Sequence, residues 1–241
     1  MSKPINFELP GYCDICEKDV VFRARFSWFR DHLLCPSCES VPRERALMQV
    51  LKQHVPNYRS RRVHESSPCG RGVSKRLKRE CRKYTYSHFF PDVSGGEIHP
   101  ERGERSENLE KLSFRDELFD LFITQDVMEH VLDPAAAFRE IARVLKPGGA
   151  HIFTVPLVKK AAKSERRAER APDGTVMPLA EVQFHGNPID EQGSLVTMDW
   201  GYDIAEFIDD SCGMSSQIIM IDDMKRGIRA EYIDVILSRK R

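Results

Sequence analysis

Apolar and polar positions alternate along residues 61–156 in a way that predicts strands and helices in turn. Short runs rich in β-branched and aromatic residues predict strands: RRVHES, KYTYSHF, ELFDLFIT and AHIFTVP. Two segments between them, VSKRLKREC and PAAAFREIARVLK, carry apolar residues at helical spacing and predict helices. This order predicts an α/β domain with a parallel sheet, whose ligand site lies at the carboxyl ends of the strands.

Four of the seven cysteines stand in two C-x2-C pairs near the N-terminus. They are Cys13, Cys16, Cys35 and Cys38. Each pair can form a tight knuckle, and the strand-like stretch VVFRARFSWF between the pairs predicts a hairpin that brings four thiolates around one Zn²⁺. The other interpretation, a set of reduced buried cysteines, would not require the two-residue spacing twice. Because four cysteines leave no open coordination position, the predicted zinc is structural.

A helical pattern separates the cysteines from the alternating region. Residues 42–56, PRERALMQVLKQHVP, carry apolar residues at helical spacing, and Pro56 ends the pattern. We therefore predict a zinc ribbon at 1–41, a connecting helix within 42–60 and the main α/β domain at 61–241. A chain of 241 residues is long enough for one such core and a small module.

Charge and hydropathy exclude some partners. The 37 basic and 37 acidic side chains give a formal net charge of zero, so nucleic acid or an anionic membrane would have to bind a local patch. The longest apolar runs fall far short of the roughly 20 residues that span a bilayer. The N-terminal sequence lacks the apolar region of a signal peptide. We expect a cytoplasmic protein that does not associate with membranes.

Residues 109–156 closely resemble the second half of the core of class I S-adenosylmethionine-dependent methyltransferases, and a looser resemblance runs from residue 61 to the C-terminus. The matching run is LEKLSFRDELFDLFITQDVMEHVLDPAAAFREIARVLKPGGAHIFTVP. The resemblance implies a Rossmann-like sheet of seven strands whose last strand is antiparallel, and S-adenosylmethionine as cofactor. By the same resemblance, SQIIMID and EYIDVILSRK are the final two strands and YDIAEFIDDSCG is the helix before them.

The turn HESSPCGRG follows the first strand of this domain. It lacks the Gly-Lys-Ser/Thr ending of a phosphate-binding P-loop, which argues against ATP hydrolysis. The resemblance implies that the turn wraps the amino-acid part of the cofactor. Glu65 would then help to hold the ammonium group, and Ser67, Gly70 and Gly72 would let the backbone approach closely. The usual pattern is E/D-x-G-x-G-x-G, from which this turn departs.

The resemblance places further cofactor contacts after the later strands. His88 takes the position whose side chain binds the ribose hydroxyls, where the family usually has an acid. Asn108 and Leu109 fall where the family contacts adenine. Gln125 and Asp126 lie just beyond the fourth strand, at the mouth of the cleft, and one or both should contact the cofactor.

The class of acceptor is predicted from the motif after the fourth strand and from the insertion that follows the fifth strand. QDVMEH replaces the Asn/Asp-Pro-Pro-aromatic motif of base-directed amino methyltransferases, and no Pro-Cys motif for cytosine C5 is present there. An insertion at about 157–202 supplies His185 as a candidate general base, which together with Asp126 forms the predicted catalytic set. A histidine that only fixes its loop is the alternative. HGNP and GSLVTMDWGYD resemble zinc-ribbon methyltransferase-like proteins associated with saccharide and surface-polymer biosynthesis.

These features favour methylation of a small molecule or saccharide, at oxygen or nitrogen, by in-line transfer. Two alternatives stay open. Residues 59–83 hold ten Lys or Arg against two Glu next to the predicted ribbon, which is a plausible footprint for an RNA methyltransferase. The altered first turn is also compatible with a methyltransferase fold that binds a partner without catalysis.

Overall fold

The computed structural model describes residues 3–187 and 189–241. Its N-terminal part is an antiparallel hairpin followed by short and long helices. The elements are β1 (Pro4–Cys13), β2 (Lys18–Phe26), α1 (Phe29–His32), α2 (Pro42–His54) and a 3-10 helix at Tyr58–Ser60.

The first cysteine pair lies at the turn between β1 and β2, and the second pair follows α1. This corrects the predicted hairpin, since the stretch between the cysteine pairs supplies only one of its strands, β2. The partner strand comes before the first pair, where Ile5, Phe7 and Leu9 alternate with polar residues and pack against the core.

The main domain begins with alternating strands and helices, as the apolar pattern predicts. The elements are β3 (Arg62–Ser66), α3 (Gly72–Glu80), β4 (Lys83–Ser87), β5 (Phe119–Gln125), α4 (Pro134–Val144) and β6 (Leu145–Thr154). Helix α4 begins with Asp133, whose side chain accepts a hydrogen bond from the backbone N–H of Ala136, and with Pro134 in its first turn.

The segment after β6 forms three small two-stranded sheets. Its strands are β7 (Glu165–Arg166), β8 (Ala168–Arg170), β9 (Val176–Pro178), β10 (Phe184–Asn187), β11 (Asp190–Leu195) and β12 (Met198–Asp199). The chain then returns to the core through α5 (Ile204–Cys212), β13 (Ser215–Ile219), a 3-10 helix at Met224–Arg226 and β14 (Val235–Arg239). No helix among residues 3–187 and 189–241 is long and apolar enough to cross a membrane.

Six strands form the central sheet in the order β13-β14-β6-β5-β3-β4. Strands β3 to β6 are parallel, whereas β14 is antiparallel to both of its neighbours. The Rossmann-like methyltransferase fold is therefore confirmed, with six strands in the described residues instead of the predicted seven. The seventh strand would pair with β4 at the edge of the sheet. In the described residues a single parallel bridge, between His88 and Ser106, stands in its place. The preceding PDVSGGEIHPERGER lacks alternating apolar residues, so it has no side-chain pattern to support a longer strand.

Alternate residues of the sheet strands enter two different cores. Leu121 and Ile123 of β5 point to one face, where α2, α3 and the N-terminal hairpin pack, while Phe122 points to the other face, with α4 and α5. The residues at 42–54 are thus part of a core layer, with eight buried side chains in α2. The cysteine-containing hairpin shares this core with the central sheet.

A buried arginine of α2 joins the N-terminal part to the main domain. Arg45 is fully buried and donates to the carbonyl oxygens of Leu33, Ser40 and Gly227. Its guanidinium also lies 4.4 Å from the centre of the Phe22 ring. Burial lowers the pKa of Arg45 to about 10, so the group is still charged at neutral pH.

We expect Arg45→Ala to lower the free energy of unfolding by roughly 3–5 kcal/mol, because it leaves several buried carbonyl oxygens without donors. Urea unfolding followed by circular dichroism measures the change. The control is Arg82→Ala, at an exposed position, which should change stability by less than about 0.5 kcal/mol. Equal effects of the two substitutions would contradict the role assigned to Arg45.

Candidate functional site

A large cleft opens at the carboxyl ends of the parallel strands. Its volume is about 1260 Å³, and it is lined by the turns after β3, β5 and β6, by residues 107–110 and by the β10–β11 hairpin. Side chains of the N-terminal part, including Trp28 and Arg30, complete its wall. Ligands of open α/β sheets bind at this edge, and pockets for one small ligand measure about 300–1,000 Å³. The cleft is large enough for a cofactor and an acceptor together.

Glu65, near the end of β3, is fully buried behind the cleft. Its carboxylate accepts hydrogen bonds from Ser74 Oγ at 2.6 Å, Tyr84 Oη at 2.6 Å and Gln125 Nε2 at 2.7 Å. Burial raises the pKa of Glu65, and these three hydrogen bonds offset part of the rise. Glu65 thus fixes the amide of Gln125, which does line the cleft. Gln125 Oε1 is buried and has no hydrogen-bond partner in the described part of the chain, so it is available to a donor on a ligand.

The turn after β3 needs unusual backbone angles. Ser67 has φ = 56° and lines the cleft, while Gly70 and Gly72 have φ = 67° and 46° and do not line it. A Cβ on Gly72 would lie 2.9 Å from the carboxylate of Glu44, and the Gly72 N–H donates to the carbonyl of Cys38 at 3.1 Å. This turn therefore also packs against α2 and the second cysteine pair, which explains the requirement for glycine at position 72.

Of the other residues predicted to contact the cofactor, Asn108 and Leu109 lie at the cleft and His88 is buried away from it. Asn108 and Leu109 line the cleft, and Asn108 Oδ1 accepts from the backbone N–H of Glu110 at 2.9 Å. His88 does not line it, because its ring is buried between β4 and the following loop, with Nε2 3.7 Å from Glu104 Oε1. Burial lowers the pKa of His88. A ribose-binding role would require this ring to turn towards the cleft.

Asp126 lies at the cleft but is bound by protein groups. Its carboxylate contacts Arg30 Nη2 at 2.7 Å and Arg43 Nε at 2.8 Å, and it accepts from Thr154 Oγ1 at 3.0 Å. Burial by itself raises the pKa of Asp126, but the charges of Arg30 and Arg43 outweigh burial and lower the pKa to about 2. A carboxylate with this pKa is a weak base at neutral pH. The geometry thus makes Asp126 an anchor for two arginines and disfavours the catalytic role predicted for it.

His185 lies on β10 and also lines the cleft. Its Nδ1 lies 3.8 Å from Glu129 Oε1, and its ring centre lies 5.2 Å from that of His130. Glu129 is only 2% exposed, and neither of its carboxylate oxygens has a hydrogen-bond partner in the described residues. A second cavity of about 200 Å³ adjoins Glu129 and His185. Glu129, His130 and His185 thus bring three ionisable side chains together in one part of the cleft.

Three residues of the site, Arg30, Arg43 and Glu129, are not predicted from the sequence. Arg30 and Arg43 belong to the N-terminal helices. Nothing in their local pattern indicates that they contact Asp126, which lies more than 80 positions further along the chain. Glu129 carried a signal, since it stands beside a histidine just beyond a strand that was predicted to end at the cleft.

The four N-terminal cysteines come together as predicted. Their sulfur atoms all lie within 4.8 Å of one another, with 3.7 Å between Cys13 and Cys38 and 3.7 Å between Cys16 and Cys35. Sulfurs bound tetrahedrally to zinc at about 2.3 Å are roughly 3.8 Å apart. The donor set and its spacing therefore fit one Zn²⁺.

The sheet order and the position of the cleft define a Rossmann-like methyltransferase fold. Residues 69–153 match the family model described as a methyltransferase domain. The matched segment spans α3, β4, β5, α4 and most of β6.

Solved structures with low sequence identity are similar to this chain. An S-adenosylmethionine-dependent methyltransferase from Mesorhizobium loti is 17% identical, with 80% of this chain and 97% of that chain covered and a TM-score of 0.47. A methyltransferase of the same cofactor class from Methanosarcina mazei is 16% identical, with 78% and 96% covered and a TM-score of 0.43. Among curated proteins, none matches the sequence significantly.

We expect Cys35→Ser to lose one zinc equivalent per chain and to melt at a lower temperature than the wild type, because a structural zinc contributes directly to folding. Elemental analysis of desalted protein measures the zinc. Cys212→Ser is the control, since Cys212 lies outside the cluster and its loss should leave the zinc content unchanged. A wild-type zinc content in Cys35→Ser would refute the site.

Asp126→Asn should lower the free energy of unfolding by about 2–3 kcal/mol at pH 7, because the carboxylate is more acidic in the folded protein than in the unfolded chain. The folded pKa is about 2, against about 3.9 for an unperturbed aspartate. This stabilisation is present above roughly pH 4 and is lost as the pH falls towards 2. The difference between wild type and variant, measured by urea unfolding, should therefore shrink from pH 6 to pH 3.

The matched control for Asp126→Asn is Asp222→Asn, which breaks an ion pair with Arg229 that is exposed on both sides. Solvent screens such a pair, so this variant should resemble the wild type at both pH values. A pH-independent difference for Asp126→Asn would show that its ion pairs do not stabilise the fold.

Proposed function

We propose that this protein is an S-adenosylmethionine-dependent methyltransferase that methylates a small molecule or saccharide at oxygen or nitrogen, with a structural zinc in its four-cysteine ribbon. The observation that carries this proposal is the cleft, which is lined by two groups of residues: a proposed cofactor wall of Ser67, Asn108, Leu109 and Gln125, and a proposed acceptor wall of Glu129, His130 and His185. Asn108, Leu109 and Gln125 of the cofactor wall lie within residues 69–153, the part that matches the methyltransferase domain.

The residues of the cofactor wall fit the ligand. Gln125 Oε1 is a buried acceptor without a partner among the described residues, as the ammonium group of a bound amino acid requires. Ser67 presents its backbone in a left-handed turn at the same wall, and Asn108 and Leu109 provide a polar and an apolar contact for a base. Glu65 acts through Gln125, which it holds by a 2.7 Å hydrogen bond.

In-line methyl transfer requires mainly that the protein align the cofactor and the acceptor. Bound S-adenosylmethionine would supply the methyl group, whose carbon bonds to the acceptor atom while the C–S bond breaks and its electron pair stays on sulfur. The cleft must hold the acceptor in line and exclude water. In this proposal His185 is the group nearest to an acceptor that can take its proton, and its ring lies at the cleft wall.

The distribution of charges argues against RNA as the acceptor. Six of the ten basic residues of 59–83 lie within 4.0 Å of a carboxylate oxygen. Arg76 is buried and contacts Glu17 and Glu80, and Arg71 lies 3.5 Å from Glu44. Arg59 also pairs with Glu80. Basic side chains that are already paired contribute less to phosphate binding.

Isothermal titration of the zinc-loaded protein with S-adenosylmethionine and S-adenosylhomocysteine tests the proposal. We expect micromolar binding, and a loss of about tenfold or more in Gln125→Ala, since a hydrogen bond to a charged group contributes about 1.5–3 kcal/mol. The control is Gln217→Ala, an exposed residue of β13 that should bind the cofactor like the wild type. Absence of binding in folded, zinc-loaded protein would overturn the proposal and favour a non-catalytic fold.

A further inference from the structure

Glu129 is a buried carboxylate without a counter-charge at hydrogen-bonding distance. It lies four residues beyond β5, is 2% exposed, and both of its oxygens lack a hydrogen-bond partner in the described residues. Buried charges in proteins are usually paired or coordinate metals, because an isolated ion loses its hydration without compensation. The carboxylate therefore points to a missing cation at this wall of the cleft.

Two histidines face the same carboxylate. His130 Nε2 and His185 Nδ1 each lie 3.8 Å from Glu129 Oε1, which is beyond hydrogen-bonding distance. One ligand atom from each of the three residues lies within 4.8 Å of the other two. Two ligands that are each about 2.1 Å from one metal ion lie roughly 3–4 Å apart. The spacing is that of ligands around an ion.

A hydrogen bond from the His130 ring fixes its tautomer and leaves its other nitrogen free to bind a metal ion. His130 Nδ1 lies 2.8 Å from the carbonyl oxygen of Leu195, so Nδ1 carries the proton and donates it. In the neutral ring the lone pair is then on Nε2, the nitrogen that faces Glu129. Metal-ligating histidines commonly use the other ring nitrogen in this way to fix their tautomer and orientation.

Asp126 is excluded from the ligand set although it lies three residues before Glu129. Arg30 and Arg43 already neutralise it, with contacts of 2.7 and 2.8 Å. The two carboxylates of this loop thus have different surroundings: Asp126 contacts two arginines, whereas the basic nitrogens within 4.0 Å of Glu129 in the described part of the chain are those of His130 and His185.

We propose that Glu129, His130 and His185 bind one divalent cation at the acceptor wall of the cleft. Two imidazoles and one carboxylate favour first-row transition ions such as Mn²⁺, Fe²⁺, Co²⁺ or Zn²⁺ over Ca²⁺. Three protein ligands leave coordination positions open, as in catalytic metal sites. The 200 Å³ cavity adjoins these positions and is lined by Glu129 and His185 together with apolar side chains of Pro156, Val158 and Val196.

The site also defines the acceptor, an inference that rests on the proposed methyltransferase function. Two neighbouring oxygen atoms of one compound can occupy two open coordination positions of such a cation. We infer that the acceptor has such a pair of oxygens and that at least one of them is a hydroxyl. The bound hydroxyl loses its proton to solvent more readily than a free one. Its oxygen then bonds to the methyl carbon while the C–S bond breaks and sulfur keeps the electron pair. With His185 bound to the cation, solvent takes the acceptor's proton in place of His185, and the reaction is an O-methylation.

Titration of the zinc-loaded full chain with Mn²⁺, followed by the electron paramagnetic resonance signal of free Mn²⁺, tests the site. Mn²⁺ prefers oxygen and nitrogen ligands, so the thiolates of the ribbon do not compete for it. We expect one Mn²⁺ per chain with a dissociation constant below roughly 100 μM, corresponding to about −5.5 kcal/mol or tighter. No binding up to about 1 mM in folded protein would overturn the proposal.

Three variants locate the ion. Glu129→Gln, His130→Asn and His185→Asn should each weaken Mn²⁺ binding at least tenfold. Glu129→Gln keeps the side-chain shape and removes an unpaired buried charge, so its melting temperature should equal or exceed that of the wild type, which separates ligand loss from misfolding. The control is Glu191→Gln, an exposed carboxylate on the same hairpin as His185, which should bind Mn²⁺ normally. Unchanged binding in all three site variants would overturn the assignment.

The acceptor class has its own test with the Mn²⁺-loaded protein. Catechol, which has two neighbouring hydroxyls, should displace water from the ion and reduce the water-proton relaxation enhancement, whereas phenol should do so at least tenfold more weakly. Equal effects would overturn the chelating acceptor. Because neither Mn²⁺ measurement contains S-adenosylmethionine, cofactor titration of the same sample reports separately on the proposed methyltransferase function.

Discussion

Parallel pairing of β3 with β5 and of β5 with β6 is the constraint on which the site depends. It brings the ends of three strands, at residues 66, 125 and 154, to one edge of the sheet. The chain must turn sharply there, and both Ser67 and Asp126 adopt positive φ in their turns. Left-handed angles are unfavourable for non-glycine residues, and they persist here because backbone hydrogen bonds hold each turn: Ser67 N–H to Ser87 O, and Asp126 N–H to Thr154 O.

Buried arginines attach the N-terminal part to this edge. Arg45 binds carbonyl oxygens of both parts of the chain, and Arg30 and Arg43 bind Asp126 in the cleft. The N-terminal part and the cleft are thereby linked through charged hydrogen bonds, which are stronger than neutral ones. The N-terminal part therefore forms one side of the cleft and also belongs to the core.

The two walls of the cleft use buried polar groups differently. On the cofactor wall, Glu65 is satisfied by three donors and orients Gln125. On the acceptor wall, Glu129 is buried without any such donor in the described residues. Folded proteins rarely keep an unsatisfied buried carboxylate without a reason, and this contrast is the basis of the proposed cation site.

Local patterns in the sequence determined the elements of the fold and the cysteine cluster. The apolar spacing of α4 and β5 and the two C-x2-C pairs were sufficient, because helix, strand and knuckle formation depend on near neighbours. The departures arose where non-local contacts decide: the partner of β2, the six strands, and the position of His88 behind the cleft. Only the tertiary structure showed that Asp126 faces two arginines and that Glu129 faces two histidines. His130 is the neighbour of Glu129 in the sequence, but Arg30, Arg43 and His185 come from segments distant along the chain, and no local periodicity records those contacts.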